Sequence, residues 1–262
     1  APLRLIVRAG AGYNTIDVEA ATQSGVIVAN CPGKNAQAVS ELAFGLMIAL
    51  DRMIPDNVSE LRSGKWNKKG FGTGKGLYGR TLGLIGVGNI GRDMAVKAKA
   101  FGMRVIAYSS HIQPEEARAL GIELAESPEA VAAASDVVSV HASLRPETRG
   151  LLGEAFFGAI KPGSYFINTS RAEIVDQRAL EQALDDGRIM AGLDVFDDEP
   201  STGEGVYEGT LKSRPLAYCT HHIGASTEQA QEAVAAETVR IVQAFKETGE
   251  APNAVNKLPA LR

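Results

Sequence analysis

Residues 80–92 read R-T-L-G-L-I-G-V-G-N-I-G-R, and this stretch decides the fold class of the chain. The apolar run at 82–85 indicates a strand that is buried on both faces. Gly86, Gly88 and Gly91 follow in G-x-G-x-x-G spacing, and the residues after them keep an apolar period typical of a helix. A strand, a glycine turn and a helix in this order predict a dinucleotide site, because the free N–H groups at the helix start can bind a pyrophosphate.

Strand and helix patterns alternate along the rest of the chain, which predicts an α/β fold with a doubly wound parallel sheet. Pro55 interrupts one helical pattern, which resumes at 58–61, and a polar, glycine-rich segment at 63–79 is predicted to be an extended arm. The predicted strands are 3–7, 26–29, 82–85, 104–108, 136–140, 165–168, 190–195 and 216–220. The predicted helices are 16–24, 36–53, 93–101, 114–120, 128–134, 154–160, 178–185 and 228–247.

The composition indicates a globular protein with a sizeable core, since 45% of the 262 residues are hydrophobic. The formal net charge is −4 and Lys and Arg form no basic stripe, so nucleic acid is not an expected partner. Cys31 and Cys219 lie far apart in sequence and match neither a disulfide framework nor a metal-binding motif. We therefore expect a cytoplasmic protein without a metal site, and the lack of a long apolar stretch argues against a membrane partner.

Polar side chains come directly after the later predicted strands, at the edge where doubly wound sheets bind ligands. Arg171, Glu199 and His222 follow the last three strands, and His141 follows the strand before them. A guanidinium can clamp a carboxylate, a histidine can exchange a proton near neutral pH, and a glutamate can fix the tautomer of that histidine. Each residue alone could be an ordinary surface charge or loop histidine. Together, beside a dinucleotide site, they predict an active site.

Short motifs spread over nearly the whole chain occur in a fixed order. They are R-A-G-A-G-Y-N-T-I-D from Arg8, N-C-P-G-K-N from Asn30, G-K-W-N-K-K from Gly64, G-V-G-N-I-G from Gly86, N-T-S-R from Asn168, L-D-V-F-D-D-E-P from Leu193 and H-I-G-A-S-T from His222. In these motifs the chain resembles the D-isomer-specific 2-hydroxyacid dehydrogenase family. The closing E-A-P-N-A-V-N, from Glu250, makes the resemblance closest to the D-3-phosphoglycerate dehydrogenase branch.

The resemblance implies a fold of two parts. A Rossmann-type dinucleotide-binding domain at 36–225 is inserted into a smaller flavodoxin-like substrate domain made of 1–35 and 226–262, with the active site in the cleft between them. The substrate domain is expected to be N-terminally incomplete, because the family's opening strands are missing. The arm around Trp66 reaches the neighbouring subunit in this family, which implies a homodimer or homotetramer.

The resemblance also assigns roles to residues of this chain. His222 is the expected acid–base, Glu199 stabilises its imidazolium, and Arg171 binds the substrate carboxylate. The expected substrate-binding loop consists of Arg8, Ala9, Gly10 and Ala11. The expected cofactor contacts are Gly86, Gly88, Asn89, Ile90 and Gly91 around the phosphates, Ser109 at the adenosine ribose, Ala142, Thr169 and Ser170 toward the nicotinamide, Asp194 at the carboxamide, and Gly224.

Two departures from the family pattern affect the residue roles that the resemblance implies. Ser109 stands where the family usually has an aspartate that binds the ribose hydroxyls, so NAD is the expected cofactor but NADP is not excluded. His221 stands where a proline commonly precedes the catalytic histidine, which leaves two neighbouring imidazoles as candidates. The register with the following I-G-A-S-T favours His222.

The expected activity is hydride transfer between a nicotinamide cofactor and a small D-2-hydroxy acid. The first candidate substrate is 3-phosphoglycerate, oxidised to 3-phosphohydroxypyruvate in the phosphorylated route to serine. One alternative is a glyoxylate or hydroxypyruvate reductase of the same family. Such a reductase needs no phosphate site, so a group of cations near Arg8 and Lys34 would favour the phosphorylated substrate over this alternative. A second alternative is a non-catalytic, NAD(H)-sensing protein that resembles a corepressor.

Overall fold

The computed structural model describes residues 2–200 and 202–258. The chain folds as two compact units. The terminal unit consists of Ala1–Ala38 and Ala225–Arg262, and the central unit is Val39–Gly224. The assignment of the terminal unit to substrate binding stays a prediction.

The elements agree with the predicted alternation of strands and helices. The strands are β1 (Leu5–Arg8), β2 (Ile27–Asn30), β3 (Thr81–Ile85), β4 (Arg104–Tyr108), β5 (Glu123–Leu124), β6 (Val137–Val140), β7 (Ser164–Asn168), β8 (Ile189–Leu193) and β9 (Ala217–Cys219). The helices are α1 (Val18–Gln23), α2 (Ala36–Arg52), α3 (Ile54–Arg62), α4 (Asn89–Ala100), α5 (Pro114–Leu120), α6 (Pro128–Ala134), α7 (Glu154–Ala159), α8 (Gln177–Asp185) and α9 (Glu228–Thr248).

The described residues of the central unit form a parallel sheet of seven strands in the order β5-β4-β3-β6-β7-β8-β9. Every residue of β3, β6 and β7 is buried, as expected for strands covered on both faces. Residues of α2, α4 and α5 pack in one apolar core, and residues of α6, α7 and α8 pack in another. The prediction of a doubly wound α/β fold is therefore confirmed.

The register of the sheet brings the strand ends to one edge. Ile85 of β3 pairs with Tyr108 of β4 and with Val140 of β6. The pairing continues from Asn168 of β7 to Leu193 of β8 and Cys219 of β9. The residues directly after these strands therefore follow one another along the carboxyl edge, where a parallel sheet of this kind binds its ligand.

The terminal unit contains the two parallel strands β1 and β2, and α9 packs against them. Ile241 of α9 is fully buried in an apolar cluster with Ala29 and Cys31. Glu237, also on α9, is only 6% exposed and pairs with Lys34 at 3.4 Å and with Arg240 at 2.6 Å. Hydrogen bonds from Arg240 and Asn253 to Glu237, together with the nearby positive charges, lower the pKa of its carboxyl to about 2.

Three local differences from the predicted elements have simple causes. The α3 helix runs from Ile54 to Arg62, not only over 58–61, because a proline such as Pro55 is tolerated in the first turn. The strand β5 has two residues and is too short to produce a sequence pattern. The α4 helix begins at Asn89, inside the glycine motif, because Gly88 is its N-cap. Over the described residues, no helix combines the length and apolar character needed to cross a membrane.

Candidate active site

The glycine motif forms a close-packed turn between β3 and α4. Gly86 has φ = +95°, which glycine adopts without strain, and a Cβ there would lie 2.6 Å from the backbone nitrogen of Ala142. A Cβ on Gly91 would collide with the carbonyl oxygen of Gly86. A Cβ on Gly88, in contrast, would meet no described atom within 4 Å. The turn therefore leaves open space at Gly88, directly over the first N–H groups of α4, which fits a pyrophosphate.

A cavity of about 170 Å³ adjoins this turn. Gly86 and Gly88 contribute one wall, Ser109 follows β4 on another side, and His141 and Ala142 follow β6. Its position at the carboxyl ends of three neighbouring strands matches the ligand crevice of a dinucleotide-binding sheet.

Two buried polar atoms at this edge have no hydrogen-bond partner within residues 2–200 and 202–258. They are Nδ1 of His141 and Oγ1 of Thr169, which follow the paired strands β6 and β7. The side chain of Ser170 donates to the carbonyl oxygen of Ala142, so these two predicted cofactor contacts lie together. Buried polar atoms are nearly always satisfied in native proteins, so a ligand or an ordered water is expected beside His141 and Thr169.

His222 and Glu199 form the central side-chain contact of the candidate site. Nδ1 of His222 lies 2.7 Å from Oε2 of Glu199, and Oε1 of Glu199 accepts a hydrogen bond from the backbone N–H of Phe196 at 2.9 Å. A carboxylate oxygen can only accept, so the hydrogen of the neutral imidazole sits on Nδ1. Nε2 of His222 therefore keeps its lone pair and can take a proton from a substrate.

The loop that carries His222 is tied to the sheet by Asp194, which is 1% exposed. One carboxylate oxygen accepts from the N–H of Ile223 at 2.9 Å and from the hydroxyl of Thr220 at 2.6 Å, and the other accepts from the N–H of Gly224 at 2.8 Å. Sequence reasoning assigned Asp194 to the carboxamide of the cofactor and missed this link, because its partners lie 26 to 30 residues away in sequence.

Of the two neighbouring histidines, only His222 contacts Glu199. In the described parts of the chain, the exposed side chain of His221 makes no hydrogen bond or ion pair. The geometry therefore favours His222 as the acid–base. Arg171 follows β7; its Nη1 donates to the carbonyl oxygen of Ser170 at 2.7 Å, and its own carbonyl oxygen accepts from Asn168 at 3.0 Å.

The predicted substrate loop lies in the terminal unit, directly after β1. The N–H of Gly10 donates to the carbonyl oxygen of Arg8 at 2.9 Å, and Gly10 has φ = +150°. Asn30, at the end of β2, donates its side-chain amide to the carbonyl oxygen of Ala11 at 2.6 Å. The guanidinium of Arg8 donates to the carbonyl oxygen of Ala9. The side chain of Asn30 therefore holds the loop to the end of β2.

Comparison with known proteins agrees with this geometry. Residues 44–224 match the model of the D-isomer specific 2-hydroxyacid dehydrogenase, NAD binding domain. The chain belongs to the D-isomer specific 2-hydroxyacid dehydrogenase family. Most of its central unit is the family's NAD-binding domain, so the cofactor is NAD(P), as the open turn at Gly88 also indicates.

Family members that are named for different activities have about the same sequence identity to the chain. A D-3-phosphoglycerate dehydrogenase from Methanocaldococcus jannaschii is 40% identical over 88% of this chain and 43% of its own length. A glyoxylate reductase from Thermococcus litoralis is 40% identical over 97% of this chain and 77% of its own. The structure of a glyoxylate reductase from Paecilomyes thermophila superposes with a TM-score of 0.85 at 33% identity, covering 96% of this chain and 75% of that one. The chain thus spans less than half of the phosphoglycerate dehydrogenase that it matches.

Proposed function

We propose that the protein transfers a hydride between NAD(P) and a small D-2-hydroxy acid. The observation that carries this proposal is the 2.7 Å contact between Nδ1 of His222 and Oε2 of Glu199, in residues that follow the last strands of the central sheet. A protein that only senses the cofactor needs no positioned acid–base, so this pair argues against the corepressor-like alternative. When bound, the nicotinamide supplies the hydride acceptor in one direction and the hydride donor in the other.

The residues of the chain supply the proton transfer and the substrate contacts. Nε2 of His222 takes the hydroxyl proton during oxidation and returns it to the oxo group during reduction. Glu199 holds the ring in place and stabilises the imidazolium that forms. Arg171 binds the substrate carboxylate, because its planar guanidinium can form two parallel hydrogen bonds with it. The loop at Arg8 is proposed to contribute further substrate contacts.

The test is the His222→Asn variant. Asparagine tolerates the left-handed backbone of this position, where φ is +52°, so the loop should keep its conformation. We expect turnover to fall by roughly 10²–10⁴, the usual effect of losing a general acid–base. NADH affinity, measured by fluorescence titration, should stay within about twofold because His222 acts on the substrate. The matched control His221→Asn should leave turnover unchanged; the opposite pattern would move the acid–base to His221.

For the substrate, the first candidate is 3-phosphoglycerate, and its oxidation would place the protein in serine synthesis. The motif resemblance and the similarity to the phosphoglycerate dehydrogenase support it. A second candidate is glyoxylate or hydroxypyruvate, which one observation favours: the ammonium of Lys34 is already paired with the buried Glu237 at 3.4 Å. A cation whose ammonium is held beside a buried carboxylate is less free to bind a phosphate, and a substrate without a phosphate does not need this cation.

Initial rates decide between these candidates. The panel consists of 3-phosphoglycerate, D-glycerate and glycolate in the oxidative direction, and hydroxypyruvate and glyoxylate in the reductive direction, each with both cofactors. A phosphoglycerate dehydrogenase should lose most of its kcat/KM when the phosphate is absent, whereas a reductase should show little loss. Absence of turnover with every member of the panel would support the cofactor-sensing alternative.

We further propose that two copies of the chain associate through the arm at 63–79. Trp66 is 81% exposed and Tyr78 is 88% exposed, which is unusual for large aromatic side chains. Sedimentation equilibrium should give at least twice the mass of one chain, and Trp66→Ser should shift the population toward the monomer. A monomer at micromolar concentration would contradict this assembly.

A further inference from the structure

We propose that the cavity at the end of β4 binds the 2′-phosphate of NADP(H), with Arg145 as its principal cation. This inference rests on the proposed use of NAD(P) and goes further, because it names the residue that selects between the two forms of the cofactor. The two cofactors differ only at the adenosine ribose, where NAD(H) has a hydroxyl and NADP(H) has a phosphate.

The end of β4 lacks the group that selects NAD(H). In dinucleotide-binding sheets an acidic residue at this place binds the ribose hydroxyls and repels a 2′-phosphate. Here Ser109, Ser110 and His111 follow Tyr108, and all of them line the cavity. Two hydroxyls and an imidazole can donate hydrogen bonds to a phosphate, and none of them carries a negative charge.

Arg145 brings a positive charge to this segment from elsewhere in the chain. It lies in the loop after β6, lines the same cavity, and its Nη1 is 2.7 Å from Nε2 of His111. A guanidinium has no acceptor, so it donates this hydrogen bond to a neutral imidazole that carries its hydrogen on Nδ1. Glu147, a carboxylate that also lines the cavity, pairs with Arg145 only at 3.9 Å, and both side chains are substantially exposed. A phosphate dianion would therefore compete well for Arg145.

A second guanidinium, that of Arg92, lines the cavity from α4. Its Nε donates to Glu116 at 2.6 Å, so its charge is already balanced by a close carboxylate. Its contact with Glu116 uses only Nε, and the two terminal nitrogens remain available as donors among the described residues. Arg92 can thus add hydrogen bonds to the 2′-phosphate, while Arg145 adds most of the electrostatic attraction to it.

The experiment measures binding to the full chain, not activity. NADPH and NADH are titrated separately by nicotinamide fluorescence, and adenosine 2′,5′-bisphosphate and 5′-AMP are compared by calorimetry, since this second pair differs only in the 2′-phosphate. We expect the wild type to bind NADPH at least about tenfold more tightly than NADH, with the same order for the bisphosphate and 5′-AMP. Arg145→Ala should lose about 10- to 100-fold in affinity for NADPH and keep its affinity for NADH.

Two further variants keep the test specific. Arg149→Ala removes an exposed arginine of the same loop that does not line the cavity, and it should leave both affinities unchanged. Ser109→Asp restores a carboxylate at the end of β4 and should reverse the preference in favour of NADH. Equal or tighter wild-type binding of NADH, or an equal loss for both cofactors in Arg145→Ala, would overturn the 2′-phosphate site alone. Failure of both cofactors to bind would overturn the proposed function as well.

Discussion

The carboxylate of Asp194 accepts a hydrogen bond from the backbone N–H of Gly224 at 2.8 Å. Gly224 lies two residues after His222, which we assign as the acid–base. The other oxygen of Asp194 accepts from Thr220 and Ile223, so its contacts flank His222 on both sides. His222 has φ = +52°, a conformation that costs energy for a residue other than glycine. Asp194 therefore holds a strained backbone in the conformation that points His222 at Glu199.

Asp194→Ala tests this role. The change leaves the donors of Thr220, Ile223 and Gly224 without their acceptor. We expect the free energy of unfolding to fall by about 3 kcal/mol or more, since three hydrogen bonds to a charged group are lost and each contributes about 1.5–3 kcal/mol. Turnover should fall at least about tenfold even where the protein is folded, because His222 loses its fixed position. Urea unfolding and steady-state kinetics measure the two effects. Glu126→Ala, which removes an exposed carboxylate of the same unit, is the control and should change neither quantity.

Glu199→Gln should separate orientation of the histidine from binding of the cofactor. Glutamine is nearly the same size, but its amide can donate to Nδ1 of His222 and so favour the tautomer whose Nε2 already carries a hydrogen. We expect kcat to fall by roughly 10²–10⁴ while NADH affinity is retained. Glu204→Gln, at an exposed position further along the same loop, should leave both kcat and NADH affinity unchanged. A fall in NADH affinity equal to the fall in kcat would assign Glu199 to the cofactor instead.

Gly88→Ala should impair cofactor binding without disturbing the fold. Gly88 has φ = −84° and a Cβ there meets no described atom within 4 Å, so alanine is accepted by the chain itself. The methyl group would instead occupy the space through which the pyrophosphate approaches the start of α4. We expect NADH affinity to fall at least about tenfold, or about 1.4 kcal/mol, with an unchanged melting temperature. The control is Gly158→Ala in α7, where a Cβ also meets no described atom within 4 Å. This change should leave NADH affinity unchanged.

Elements with clear end signals could be predicted closely from the sequence. The helices at 114–120 and 128–134 have the predicted bounds, because Pro114 and Pro128 mark their first turns and Gly121 ends the first of them in a left-handed conformation. The strand at 104–108 also has its predicted bounds. The bounds at the glycine motif were less accurate, since the start of α4 depends on the cap at Gly88 and not on an apolar period.

Side chains that join distant segments could not be predicted in this way. The order of the strands follows from general rules, but the partners of Asp194 and the contact between Arg145 and His111 depend on loop conformations that leave no periodic signal. A signal did exist for Arg145: it is a basic residue in the loop after β6, at the edge where ligands bind. Of the residues after this strand, only His141 and Ala142 were predicted to lie at the ligand-binding edge, so Arg145 was not among them.

His141 is a buried titratable residue that the proposed proton transfer does not use. It is 7% exposed, and its Nε2 lies 2.8 Å from the hydroxyl of Ser139. Burial disfavours the charged imidazolium and lowers the pKa of His141 to about 3. In the unfolded chain the pKa of a histidine is near 6.5, so the unfolded state binds one more proton between about pH 6.5 and 3. Folding stability from this residue is thus complete above about pH 6.5 and is lost as the pH falls.

We therefore expect the free energy of unfolding to decrease between pH 6.5 and 5 with a slope that approaches 1.4 kcal/mol per pH unit for this one proton. His141→Gln should flatten the slope over that interval, because glutamine does not titrate, whereas the exposed-site control His111→Gln should keep it. The interval ends at pH 5 because carboxyls with lowered pKa, such as that of Glu237, begin to reduce stability only below about pH 4.5. Urea unfolding at half-unit pH steps measures the slopes. Identical slopes in the wild type and His141→Gln would mean that His141 takes up its proton at the same pH in the folded and unfolded states, which would contradict a lowered pKa.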